Sequence, residues 1–199
     1  MRVSLKKGDA LVIVDLQNDF VPGGKLAVPQ GDHVIRPVNN AIRIFRGGRL
    51  PIFLTRDWHP VNHSSFEDQG GPWPPHCVQD TQGAAFASGL AVPEDAIIIT
   101  KGVRTEPDEY SGFQGTDADG NSLDERLKQL NVTRIFIGGL ATDYCVLNTV
   151  LDGLMRGYET YVLTDAIRAV NVKPDDGEKA MERMVQHGAE PTTTESLGV

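Results

Sequence analysis

Between Asp57 and Cys77 the sequence gathers Asp57, Trp58, His59, His63, Phe66, Trp73, His76 and Cys77 into a segment with neither a helical nor a strand period. Three of the chain's five histidines fall in it, an odd choice for packing one irregular loop and a sensible one for building a binding site. Asp57 and His59 stand two residues apart, so on an extended backbone both side chains point the same way. His76 is free to loop back and complete a facial O,N,N metal site, with His63 as a spare. One carboxylate and neutral imidazoles suit a divalent metal, zinc first, with iron or manganese as alternatives. Cys77 could add a soft ligand, but its neighbour is already assigned and a packed thiol is the better reading.

A second set of reactive groups lies at the ends of apolar runs. Cys145 follows Gly138-Gly139 and the short turn Leu140-Ala141-Thr142, in the first turn of a helix opening near Asp143. Free backbone N–H groups and the helix dipole there favour a thiolate, and the same groups could hold an oxyanion. The plain alternative is a buried core cysteine. Asp15 ends the run Ala10–Val14, where a carboxylate is costly unless it is paired or used. Lys101 follows Ile97-Ile98-Ile99-Thr100. It could pair with Asp15, lend positive potential to a thiolate, or simply start a loop, and spacing does not decide among these. Phe20 and Trp73 are core aromatics or walls for a flat ligand, and Phe66 is assigned to the core. Asp117-Ala118-Asp119-Gly120-Asn121 opens like a calcium loop, but Ser122 and Lys128 stand where glycine and glutamate are required, leaving a polar turn.

The elements that must position these groups alternate between short apolar runs and helix-period segments, the pattern of a parallel sheet covered on both faces. Strands are expected at Ala10–Val14, Leu50–Thr55, Ala96–Thr100, Arg134–Gly138 and Thr160–Leu163, with a weaker sixth at Pro191–Thr194. Helices are expected through Val34, Ile35, Val38, Ile42 and Phe45 with Asp32 as N-cap, from the capping box Ser122–Glu125 to Leu130, through Val146 to Leu154 with Gly157 as stop, and over Glu178–His187. The fold class is therefore α/β, a three-layer α/β/α arrangement around a central, mostly parallel six-stranded sheet of Rossmann-like type. Residues 57–95 and 102–121 are too long for plain crossovers, and both leave the carboxyl ends of strands, where open parallel sheets bind ligands. Strand order 3-2-1-4 would leave Lys101 two strands from Asp15.

At 199 residues and 40% hydrophobic content, the chain suits one domain, 1–199, with a metal-site loop region at about 57–95. A net charge of −8 argues against nucleic acid or an anionic membrane as partner. Two cysteines suit a reducing compartment, and the first residues lead straight into a strand without an apolar leader. A cytoplasmic protein is expected.

Asp15-x-Gln17-x-Asp19-Phe20, Arg56-Asp57-Trp58-His59-Pro60, Trp73-Pro74-x-His76-Cys77, Lys101-Gly102 and Gly139-Leu140-Ala141-Thr142-Asp143-Tyr144-Cys145-Val146 occur in order over almost the full length. With these the chain resembles the nicotinamidase/pyrazinamidase branch of the isochorismatase-like cysteine hydrolase superfamily. The resemblance implies a catalytic triad of Asp15, Lys101 and Cys145, and a divalent metal on Asp57, His59 and His76. It implies a cis Leu140–Ala141 peptide with the N–H groups of Ala141 and Cys145 as oxyanion hole. Phe20 and Trp73 would sandwich a pyridine ring and Tyr110 would line the pocket. Whether His63, Glu67 or Asp68 also touches the metal stays open, as does homo-oligomerisation. The implied reaction is hydrolysis of nicotinamide, and of pyrazinamide, to acid and ammonia in NAD salvage. The alternative is another amide or ureido hydrolase of the superfamily, such as an N-carbamoyl amine hydrolase.

Overall fold

A computed structural model of the chain describes residues 2–106 and 108–198. In chain order the regular elements are β1 (Val3–Ser4), β2 (Asp9–Val14), α1 (Ile35–Gly47), β3 (Ile52–Asp57), β4 (Ile97–Lys101), α2 (Leu123–Gln129), β5 (Arg134–Leu140), α3 (Leu147–Met155), β6 (Glu159–Arg168), α4 (Asp176–Gln186), β7 (Glu190–Thr192) and β8 (Leu197–Gly198). The main sheet runs β4-β3-β2-β5-β6-β7, and each of its pairings is parallel. β1 and β8 form a separate parallel pair that the sequence pattern did not announce.

Burial on both faces of β2 explains its uninterrupted apolar run. Leu11 and Ile13 point into one cluster, with Val38, Ala41, Ile42 and Phe45 of α1. Ala10, Val12 and Val14 alternate into the other, where Leu123 and Leu127 of α2, Val150 of α3 and Met184 of α4 cover the sheet. The three layers follow directly. Across the amino ends of β2 and β5, Arg134 grips buried Asp9 with two N–H···O bonds of 2.7 and 2.6 Å and donates to the Ser4 carbonyl at 2.9 Å. That fork ties β1 to the main sheet.

Several local expectations change. Asp32 does not cap α1: a 3-10 turn over Gly31–Val34 runs straight into the helix, and Val34, already helical at φ −77°, ψ −18°, makes no side-chain cap bond. Pro37 in the first turn has no N–H to satisfy, which lowers the need for a cap. The Ser122–Glu125 capping box on α2 is present in both directions. β6 continues to Arg168, beyond the apolar Thr160–Leu163, because a register shift lets Ile167 and Arg168 pair again with Gly139 and Leu140. α4 opens at Asp176, two residues early, and the sixth strand occupies Glu190–Thr192. The 117–121 segment is the expected polar turn, with Asp117 Oδ1 accepting from the N–H groups of Asp119 and Asn121.

Candidate active site

The carboxyl ends of β2, β3, β4 and β5 converge on one buried cluster. β2 ends at Val14, and Asp15 turns out of the strand with φ 42°, fully buried. Thr55, on neighbouring β3, donates to Asp15 Oδ1 at 2.5 Å and accepts from the Asp15 N–H at 3.2 Å. Lys101 ends β4, in register with Asp57 at the end of β3. Its stem crosses over β3 and places Nζ 2.9 Å from Asp15 Oδ2. A flexible four-carbon stem thus spans the two-strand gap that spacing left open. The same ammonium meets Asp57 Oδ1, donates to the Glu109 carbonyl at 3.0 Å, and lies 3.6 Å from Cys145 Sγ.

Cys145 sits in a wider turn than expected. Residues Thr142–Val146 form a π-helical turn before α3 begins, closed by a bond from Val146 N–H to the Ala141 carbonyl at 3.1 Å. The Leu140–Ala141 peptide is cis, as the resemblance implies. Thr149 donates to the Cys145 carbonyl at 2.7 Å and accepts from the Gly112 N–H at 2.9 Å, so the second long loop is tied to the base of the Cys145 turn. Asp15, Asp57 and Cys145 bring their ligand atoms within 4.8 Å of one another.

The surrounding charges and burial work against a resting thiolate. Burial pushes the Cys145 thiol well up; Lys101 pulls it back, but Asp15 and Asp57 add to the rise. Burial also raises Asp15 above the usual carboxylate range, against the pull of Lys101 and with a further push from Asp57. Lys101 loses from burial, yet the two carboxylates outweigh that and hold its pKa well above the ordinary lysine value. Burial and the two carboxylates thus disfavour ionisation of the Cys145 thiol, while the same carboxylates favour the charged form of Lys101.

Next to this cluster, Asp57, His59 and His76 are all buried, with one ligand atom of each within 4.8 Å of the others. The proton positions follow from the partners. His59 Nδ1 meets the Gly102 carbonyl at 3.0 Å and His76 Nδ1 the Pro74 carbonyl at 2.8 Å. A carbonyl only accepts, so each Nδ1 carries the proton and each Nε2 keeps its lone pair. Burial lowers the His76 pKa, favouring neutral imidazole. For His59 burial works the same way, but the hydrogen bond and charge of Asp57 outweigh it and raise the value. Burial would raise Asp57, but Lys101 and then His59 draw it far below the carboxylate range. The donor set fits a divalent metal, with hydrogen-bonded imidazoles and an ionised carboxylate.

His63 differs. Its ring stacks 4.0 Å from that of His59, its Nδ1 accepts from the Ser65 N–H at 3.2 Å, and its buried Nε2 has no partner among the described residues. Glu67 and Asp68 are exposed on a 3-10 turn. None of the three joins the ligand cluster. Phe66 is fully buried, as expected, and its ring packs against His59, His63 and His76 with centroids 5.5–5.8 Å away. Cys77 is a buried free thiol at φ 45°, and burial pushes its pKa up.

One pocket connects the two clusters; Phe20, Trp73, Tyr110, Ala141, Tyr144 and Cys145 are among its walls, with His59 and His76 also lining it. Trp73 Nε1 donates to Tyr110 Oη at 3.1 Å, and Tyr144 packs edge-on against Trp73 at 5.0 Å. Sequence reasoning missed Thr55, Gln17 and Tyr144. Gln17 is buried and clamps Asp57, donating to its carbonyl and accepting from its N–H at 2.8 Å each. A glutamine two residues past the strand-ending Asp15 was the signal available.

The Isochorismatase domain model matches residues 9–196. A nicotinamidase of Escherichia coli is 39% identical over 196 residues, covering 90% of this chain and 92% of that protein. The crystal structure of a pyrazinamidase of Pyrococcus horikoshii in complex with zinc superposes with a TM-score of 0.87 at 46% identity, covering 94% of this chain and 99% of the other. PnC1 from L. infantum in complex with nicotinate gives 0.88 at 33%, covering 99% and 98%. A match of that extent settles the family: this chain belongs to the isochorismatase-domain hydrolases.

Proposed function

We propose that this chain, as a single hydrolase domain, is a nicotinamidase that converts nicotinamide, and pyrazinamide, to the carboxylate and ammonia. One observation carries the reading: Cys145 lines the same pocket as Asp57, His59 and His76, with buried Lys101 behind it, 3.6 Å from its Sγ and 2.9 Å from buried Asp15. The first set can break an amide; the second can bind a metal. Relatives named for nicotinamide hydrolysis, and neighbours holding zinc or nicotinate, support the assignment.

In this scheme Phe20 and Trp73 flank the pyridine ring and Tyr110 closes its edge, holding the carboxamide carbon in reach of Cys145 Sγ. Asp15 takes the thiol proton as sulfur attacks, and Lys101 stabilises both carboxylate and developing thiolate. The N–H groups of Ala141 and Cys145 receive the oxyanion. Asp15 returns its proton to the departing ammonia, then activates the water that cleaves the thioester. A divalent metal on Asp57, His59 and His76, zinc by the first choice and iron or manganese by ligand type, would supply a Lewis-acidic anchor for the pyridine nitrogen. In this reading the activity serves NAD salvage in the cytoplasm, a location that two free cysteines support.

Ammonia release should be measured from nicotinamide, pyrazinamide and an N-carbamoyl amine, before and after chelation and zinc return. Turnover of the two aromatic amides, lost on chelation and restored by zinc, is expected. Preference for the N-carbamoyl amine with no metal dependence would instead establish the ureido hydrolase.

A further inference from the structure

Glu109 is a third buried acid beside Asp15 and Asp57, and the scheme above gives it no task. It is 8% exposed and lines the pocket. Its Oε2 accepts the Gly102 N–H at 2.6 Å, and its own carbonyl accepts from Lys101 Nζ at 3.0 Å. Gly102 is in turn built against His59. At φ +63° a Cβ there would lie 2.4 Å from His59 Cε1 and 2.5 Å from Nδ1, and the Gly102 carbonyl takes the His59 Nδ1 proton at 3.0 Å. The only cation near the Glu109 carboxylate among the described ion pairs is Arg104, 3.4 Å from Oε1 and 71% exposed. A solvated arginine at that distance contributes little, so the Gly102 bond is what holds the carboxylate in place.

We propose that Glu109 is a positioning residue: it latches the Lys101–Gly102 turn, and through the Gly102 carbonyl fixes the His59 imidazole for metal binding. Lys101 and His59 are set by one hydrogen-bonded unit, so the amine that serves Cys145 and the imidazole that serves the metal keep a fixed separation. Partners that orient a metal-binding histidine typically contribute about 10–100-fold in metal affinity.

The proposal rests on the metal reading of Asp57, His59 and His76, and its test separates the two. Zinc affinity is measured by competition with a chromophoric chelator for wild type, Glu109→Ala, Glu109→Gln and Arg104→Ala, with far-UV dichroism of each metal-free protein. Wild type that takes up no zinc defeats the metal reading itself. Given wild-type binding, Glu109→Ala is expected to bind zinc about 10–100-fold more weakly. Glu109→Gln, which keeps an acceptor oxygen for the Gly102 N–H, and Arg104→Ala should stay within about threefold. Wild-type affinity in Glu109→Ala overturns the latch. So does Glu109→Gln as weak as Glu109→Ala, which would assign the effect to charge. Should Glu109→Ala not fold, hydrogen exchange on the wild-type protein decides: a protected Gly102 amide upholds the latch and a rapidly exchanging one overturns it.

Discussion

Lys101 is the residue on which the site's charge balance turns. Fully buried, it faces Asp15 and Asp57 at once, and removing one partner of a buried ion pair costs about 3–5 kcal/mol. Metal-free Lys101→Met should be destabilised by about that much at neutral pH. The sign of its pH dependence follows from Asp15, whose folded pKa already lies above its unfolded value and would rise further without the ammonium. Such a carboxyl favours the fold below its unfolded pKa and loses that advantage as pH climbs through the folded one. The gap to wild type should therefore narrow on acidification and widen toward neutral pH in urea titrations. A gap independent of pH would contradict the pairing. Asp57, His59, His76 and Cys145 were legible from residue type and position, since a two-residue spacing and a strand-to-helix elbow are local signals. The Lys101–Asp15 contact was not, because the reach of a side chain across an intervening strand leaves no trace in spacing. Thr55, Gln17 and Glu109 gain meaning only from partners distant in sequence or folded onto them, so composition could not single them out.

At the scale of elements, the Cys145 turn depends on how closely β5 approaches β2. Gly139 has φ +118°, and a Cβ there would stand 2.1 Å from the Val14 carbonyl oxygen and 2.6 Å from its nitrogen. Neither backbone atom can yield without parting the strands that carry Asp15 and Cys145. Gly157, past the end of α3, has a similar positive φ of 85° with nothing within 4 Å. Gly157→Ala should cost only the conformational strain, about 1 kcal/mol, whereas Gly139→Ala should cost about 3 kcal/mol or more as overpacking adds to it. Chemical denaturation of both variants measures the difference, and equal midpoints would refute the close-approach account. The strands themselves were readable because apolar runs buried on both faces have few alternatives. The π-helical turn was not: Thr142 to Val146 carry no residue type that distinguishes it from an ordinary first helical turn. The start of α1 was misread because a 3-10 turn ahead of it does what a capping side chain would do.

Across the whole molecule, the sheet edge and the long loop divide the work. The ends of β2 and β4 and the π-helical turn after β5 supply Asp15, Lys101 and Cys145. The 57–95 loop supplies His59 and His76, and its Phe66 packs their rings in place. Asp57 belongs to both halves, ending β3 while contributing to each cluster, so the candidate metal cluster and the Cys145 cluster share one carboxylate. In the proposed scheme sulfur breaks the amide while the metal only aims it. Its most direct test is the rate of ammonia release from nicotinamide by Cys145→Ala, compared with wild type at equal zinc content. The covalent scheme predicts a loss of about 10³-fold or more with zinc binding intact; near-wild-type turnover in that variant would contradict it and hand the reaction to the metal.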